Sequence, residues 1–225
     1  MKLFFESLDM NLSIEYRKTV GLVLENPLSM RIFIENLWSQ TNGDNGILFL
    51  SDGKRSMRLD KSCRFISNPY EINLNEKKIV NAIYSEMAEL SMVELYEQES
   101  AVKSEIFRFI DQLAEHLPYP IDYDLEVDLQ QLLKAVNVCL DVQSESLVER
   151  VVDYIRMAHQ ILGVEVYFFF HLADFLTGEE ILLIQEAALY EDIVVIMIES
   201  DTTNIPAGIE YWIVDKDNSI IEVQV

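Results

Sequence analysis

Residues 146–198 read SLVERVVDYIRMAHQILGVEVYFFFHLADFLTGEEILLIQEAALYEDIVVIMI, and this stretch decides the fold. Ser146-Leu147-Val148-Glu149 has the form of a capping box, in which a serine oxygen and a glutamate three residues on satisfy each other's backbone N–H groups. The apolar residues behind it recur at helical spacing as far as Leu162, and Gly163 ends the helix. Val164–Phe170 is then an unbroken apolar run of strand length, the pattern of a parallel strand covered on both faces. Thr177-Gly178-Glu179-Glu180 is a second capping box, opening a helix to about Tyr190. Ile193–Ile198 is a second buried strand.

Working outward, Tyr211–Val214 and Ile220–Val225 read as two edge-like closing strands, and Val136–Val142 as a strand ahead of the first capping box. The second half is therefore β-α-β-α-β, which indicates a parallel or mixed sheet with packed helices. At the other end, Leu3-Phe4-Phe5, Leu12-Ser13-Ile14 and Val20–Leu24 read as short strands. Asn26-Pro27 opens a helix with an apolar stripe of Ile32, Phe33, Leu37 and Trp38, which stops near Asn42-Gly43. Ile47–Leu50 is a further short strand, followed by a polar, basic segment, 51–67.

Between these regions the character changes. Residues 73–117 contain no Gly or Pro, with Ile79, Ile83, Met87 and Leu90 on one helical face and Val102, Ile106, Phe109 and Leu113 on another. They read as two long helices in an antiparallel hairpin, inserted into the α/β part. The acidic stretch Asp122–Asp128 leads into a short helix through Lys134. The expected organisation is an α/β head formed by 1–72 and 137–225, with a helical leg subdomain at 73–136.

Composition narrows the function. The chain has 225 residues, 17 Lys and Arg against 39 Asp and Glu, and a formal net charge of −22. Such a surface repels nucleic acid and anionic membrane at long range, so any DNA-binding reading must say how that is overcome. No apolar run approaches the roughly 20 residues of a membrane span. The start of the chain lacks a signal-peptide pattern, which leads to an expected cytoplasmic location. Cys63 and Cys139 suit a reducing compartment as small buried side chains, and with His116, His159 and His171 they make no zinc spacing.

Several constellations can be weighed. Gly53-Lys54-Arg55-Ser56 resembles the end of a phosphate-binding loop, but the glycine required five residues earlier is Leu48, inside a strand. Asp174, beyond the central strand, stands where a magnesium-binding residue would stand and reads more simply as a turn residue. There is no nucleophile elbow, and His159 and His171 read as core or rim histidines. No feature points to an enzyme. Asp122, Asp124, Glu126 and Asp128 alternate, so an extended chain would gather their carboxylates on one side, a donor set suited to calcium. The plainer reading is a solvated acidic loop capping the next helix. Lys54, Arg55, Arg58, Lys61 and Arg64 fall within one short window whose only acid is Asp60. Clusters of this kind bind phosphate backbones without reading sequence. The alternative is a basic loop that meets an acidic face of another subunit. Five charges on one such acidic chain are feeble, and several copies around one cavity would focus them.

The chain resembles the ring-forming adaptation proteins of type II-A CRISPR systems, the non-integrase component of spacer acquisition. The resemblance rests on Leu48–Lys54, Phe65–Asn75, Ile79–Tyr84, Gln143–Arg150, Phe175–Ile181, Ile196–Glu199 and Tyr211–Asp215. It implies an α/β head similar to a P-loop NTPase fold stripped of its nucleotide motifs, with a mixed sheet and a helical leg. It further implies a homotetrameric ring with a basic channel that binds the ends of linear double-stranded DNA, carries calcium, binds no nucleotide, and works beside an integrase and an effector nuclease. By this resemblance Lys54, Arg55 and Arg58, with Lys61 and Arg64 less firmly, are the DNA contacts. Asp122, Asp124, Glu126 and Asp128 fall in the calcium-binding region, although Gln130-Gln131 stand where relatives place an acid. The alternatives are a divergent NTPase and an acidic protein-interaction scaffold.

Overall fold

The computed structural model describes residues 1–203 and 205–223. Gln224 and Val225, expected at the end of the last strand, lie outside the described residues. In chain order the elements are β1 (Lys2–Phe5), β2 (Met10–Ser13), β3 (Lys18–Leu24), α1 (Pro27–Thr41), β4 (Leu48–Ser51), β5 (Ser56–Met57), α2 (Leu59–Ser62) and β6 (Cys63–Ile66). There follow α3 (Lys77–Glu94), α4 (Tyr96–Ala114), α5 (Leu129–Ala135), α6 (Leu147–Leu162), β7 (Val166–Phe170), α7 (Gly178–Glu191), β8 (Val194–Glu199), β9 (Tyr211–Val214) and β10 (Ile220–Val223). The chain divides into two compact units, 1–74 with 142–225, and 75–141.

The first unit holds two sheets. One is antiparallel, in the order β2-β1-β4-β5; the other is mixed, in the order β10-β9-β3-β8-β7-β6, and parallel except for β10. Alternation along the antiparallel strands turns Leu3, Phe5, Met10, Leu12, Leu48 and Leu50 inward. They share one core with Phe33 and Leu37 of α1 and with Val166, Phe168, Val194, Ile196 and Ile198 of the mixed sheet. Tyr167 points the other way along β7, and its hydroxyl donates to the carbonyl of Ile155 in α6, 2.9 Å away. Both faces of β7 and β8 are thus covered, which is why they read as continuous apolar runs. Both capping boxes are present, at Ser146/Glu149 and Thr177/Glu180, and Gly163 closes α6 in the left-handed conformation. Gln40 fixes the approach to β4: its side-chain amide donates to the Leu48 carbonyl and accepts from the Leu48 N–H, each at 2.9 Å. Gly46 lies so close that an added Cβ would fall 2.4 Å from that amide.

Four expectations are corrected. Val136–Val142 is not a strand. Asn137 takes a left-handed φ of 55°, Val136 is exposed, and the backbone of Val138 and Leu140 is held by Tyr84 and Asn75. The strand that precedes α6 in the sheet is instead β6, inside the basic segment and parallel to β7. The sheet is centred on β3 and β8 rather than on β7, and β9 is interior, because β10 takes the edge. Trp38 is 60% exposed, and α1 buries Ser29, Phe33, Leu37 and Gln40 instead.

In the second unit, α3 buries Ile79, Tyr84 and Ser91, and Ser91 donates to Glu99 across the Leu95 junction. α4 buries no residue fully; Lys103, Ile106, Phe107, Ile110 and Ala114 form its half-buried face. The following segment returns to α4, where Tyr123 stacks on Phe107 and its hydroxyl hydrogen-bonds Asp111. α5 lies beside α3, where Gln130 reaches Ser85. No helix among the described residues is long and apolar enough to cross a membrane.

Candidate nucleic-acid interface

The basic segment forms a hairpin tip and the strand behind it. β4 and β5 pair through Leu50–Met57 and Ser51–Ser56, which leaves Asp52-Gly53-Lys54-Arg55 as the turn. Asp52 builds it: one carboxylate oxygen accepts the N–H groups of Lys54 and Arg55, each at 2.8 Å. These backbone bonds, with the Arg55 guanidinium, hold its carboxyl below the usual range. Gly53 supplies the φ of 87° at which a side chain is strained.

The five candidate residues are not equivalent. Lys54 is exposed and makes no ion pair among the described residues. Arg55 is exposed but meets Asp52 at 3.1 Å and Glu165 at 3.2 Å. Arg58 pairs with Asp60 through two bonds, at 3.0 and 2.7 Å, which lowers the Asp60 pKa. Lys61, on α2, is exposed. Arg64 lies in β6, half-buried; it donates to the Cys63 carbonyl, and its buried Nε has no partner. The structure therefore brings Lys54, Arg55 and Arg58 to one exposed hairpin and draws Arg64 into the sheet. Asp52 and Glu165 enter the cluster as counter-charges. Glu165, 110 residues from Arg55 in the chain, carried no sequence signal.

The carboxyl end of a parallel sheet is where α/β folds place ligands. Here β3 passes into α1 through Glu25 and Asn26, with Asn26 as N-cap and Pro27 at the first turn, and no glycine. Glu199 ends β8, 4% exposed, and accepts the Ala173 N–H at 3.1 Å. Burial raises its pKa to about 7. His171 is 3.4 Å from Glu199 and 3.7 Å from Asp174. Asp174 sits in a short 3-10 turn, its N–H bonded to the His171 carbonyl. His159 bonds the Val164 carbonyl through Nδ1.

Along the acidic run, Asp122 accepts the N–H of Tyr123, Asp124 that of Glu126 and Asp128 that of Gln130 as N-cap of α5. Among the described residues no three or more acidic, histidine or cysteine side chains are arranged so as to hold a metal ion. The donor set, all carboxylate oxygens, suits a hard cation in chemistry. Cys63 is buried, and burial raises its thiol pKa, whereas Cys139 is exposed, contrary to the expectation that both are core side chains.

A comparison with curated proteins gives no match. The family model described as CRISPR-associated protein (Cas_Csn2) matches residues 40–218. That span takes in the basic hairpin, the acidic run and the parallel strands β6, β7 and β8, and the chain belongs to the CRISPR-associated Csn2 family.

Proposed function

We propose that this protein binds the ends of linear double-stranded DNA without sequence preference, as a homotetrameric ring that supports spacer acquisition beside an integrase and an effector nuclease. The observation that carries this reading is the exposed hairpin presenting Lys54, Arg55 and Arg58 within the family-matched span. Backbone phosphates are the ligand such a tip suits, because clustered lysine and arginine side chains contact phosphate oxygens without reading sequence. Asp52 and Glu165 pair with Arg55 and Asp60 with Arg58, three carboxylates against five cations, so one copy holds a small positive excess. Several copies around a channel would focus it against the −22 background.

The role proposed is binding, without catalysis. The head is proposed to be of P-loop type without a phosphate cradle, and the turn after β3 holds no glycine. Calcium is part of the proposal, with Asp122, Asp124, Glu126 and Asp128 as the residues that would hold it. A calcium-dependent rise in melting temperature, lost when the four are changed to Asn and Gln, is expected; no response to calcium would remove it.

A mobility-shift assay with linear and circular duplex, beside light scattering for mass, tests the main reading. Linear duplex should shift in a salt-sensitive way and closed circles should compete poorly. Equal competition by circles would defeat the end-binding claim, and a monomeric mass would defeat the ring.

A further inference from the structure

The outward face of the antiparallel sheet is unlike the rest of this acidic chain. Its outward residues are Lys2 and Phe4 on β1, Asn11 and Ser13 on β2, Phe49 and Ser51 on β4, and Ser56 on β5. None is a carboxylate. Phe4 and Phe49 are direct cross-strand partners, 36% and 47% exposed. Their ring centroids are 6.3 Å apart with planes 31° from parallel, so they lie side by side as one tilted apolar surface. The β4–β5 pairing ends at Leu50–Met57, and Arg58 follows directly after it. Phe49 and Arg58 also line one cleft of about 500 Å³, together with Asp44 and Asp60. Asn11, Phe4 and Phe49 thus form one cross-strand row, and Arg58, which lines the same cleft as Phe49, stands beside it at the root of the basic hairpin.

We propose that this row is a stacking platform for unpaired nucleobases at a DNA end, Phe4 and Phe49 taking the bases and Arg58 an adjoining phosphate. The inference rests on the end-binding reading above and names the kind of end preferred, one carrying a single-stranded stretch. Bases inside a duplex are already stacked and cannot reach a flat sheet face. Unpaired bases can, and every base has a ring face that an exposed aromatic accepts regardless of sequence. The sheet face itself carries Lys2 and no carboxylate, which suits a polyanionic strand, and Arg58 would turn from its partner Asp60 to take the phosphate.

Fluorescence anisotropy with two labelled probes tests this: a blunt duplex, and the same duplex with a single-stranded thymidine tail. The wild-type full chain should bind the tailed probe about tenfold more tightly, the lower range of one or two base–aromatic stacks. In the double variant Phe4→Ala/Phe49→Ala the tailed-to-blunt ratio should fall to near one. Phe4→Leu/Phe49→Leu, which keeps an apolar surface without rings, should restore little of it. No tail preference in the wild type, a preference that survives in the alanine variant, or full rescue by leucine would each overturn the platform. The blunt arm separates the two readings: if wild type fails to bind blunt duplex, the end-binding reading itself falls. Circular dichroism of each variant confirms that the outward substitutions leave the fold intact.

Discussion

The two sheets of the first unit end in opposite ways. At the hairpin tip of the antiparallel sheet, Asp52 accepts two backbone N–H groups in reach of water and stays ionised, with Lys54 and Arg55 beside it. At the carboxyl end of the mixed sheet, Glu199 also accepts backbone N–H groups, from Ala173 and Leu172, but burial outweighs them and raises its pKa to about 7. Both carboxylates accept backbone N–H groups yet tend to opposite protonation: the Arg55 guanidinium adds to those bonds at Asp52, whereas burial, with Asp174 and Asp201 nearby, overrides them at Glu199. The difference teaches that the topological position favoured for ligands is here a consolidated strand end. The solvated charge stands on the smaller sheet instead.

Substitutions can break this contrast. The largest effect is expected from Lys54→Glu/Arg55→Glu/Arg58→Glu, which reverses the tip: affinity for linear duplex should fall by about hundredfold or more, with the oligomer intact by light scattering. An unchanged shift in the gel would move the interface elsewhere. Next is Glu199→Gln. The native state keeps the Glu199 proton up to about pH 7, whereas the unfolded chain releases it near the ordinary carboxylate value of 4.5. The native state binds more protons through that window, so stability falls as pH rises across it. Gln removes the fall, and the variant should gain about 1–2 kcal/mol over wild type at pH 8 and much less at pH 5, read from urea denaturation. An equal difference at both pH values would mean that the carboxyl does not titrate there.

Smaller changes sharpen the tip. Gly53→Ala, at a φ of 87°, should cost about 1 kcal/mol in the same denaturation series. Glu165→Gln removes one of the two carboxylates that Arg55 meets, leaving Asp52. Stability should move by less than about 0.5 kcal/mol, while duplex affinity rises roughly twofold to threefold in anisotropy titrations. A weakened affinity would show that Glu165 positions Arg55 rather than competing for it.

Legibility followed the range of the interactions. The capping boxes, the Asn26-Pro27 helix start and the apolar runs of β7 and β8 are local patterns, and each stands where the residues placed it. β6 was hidden because Cys63-Arg64-Phe65-Ile66 is short and carries an arginine at its centre, whose aliphatic stem tolerates burial. Val136–Val142 alternates like a strand, but the side chains of Asn75 and of Tyr84 in α3 serve its backbone at Val138 and Leu140 in place of a neighbouring strand. The basic residues were legible as a cluster; their counter-charges were not, since Glu165 arrives from far along the chain. The pairing of Phe4 with Phe49 escaped for the same reason, because cross-strand register is a long-range property.

The glutamine that grips Leu48 links two positions across generations of sequence change. Its amide needs both its donor and its acceptor, so glutamate at 40 would leave the Leu48 carbonyl unserved. Any side chain at 46 would displace that amide. Gln40 and Gly46 should therefore covary among descendants of this sequence, kept together or lost together, and a lineage that changes one alone should carry a compensating change at the mouth of β4.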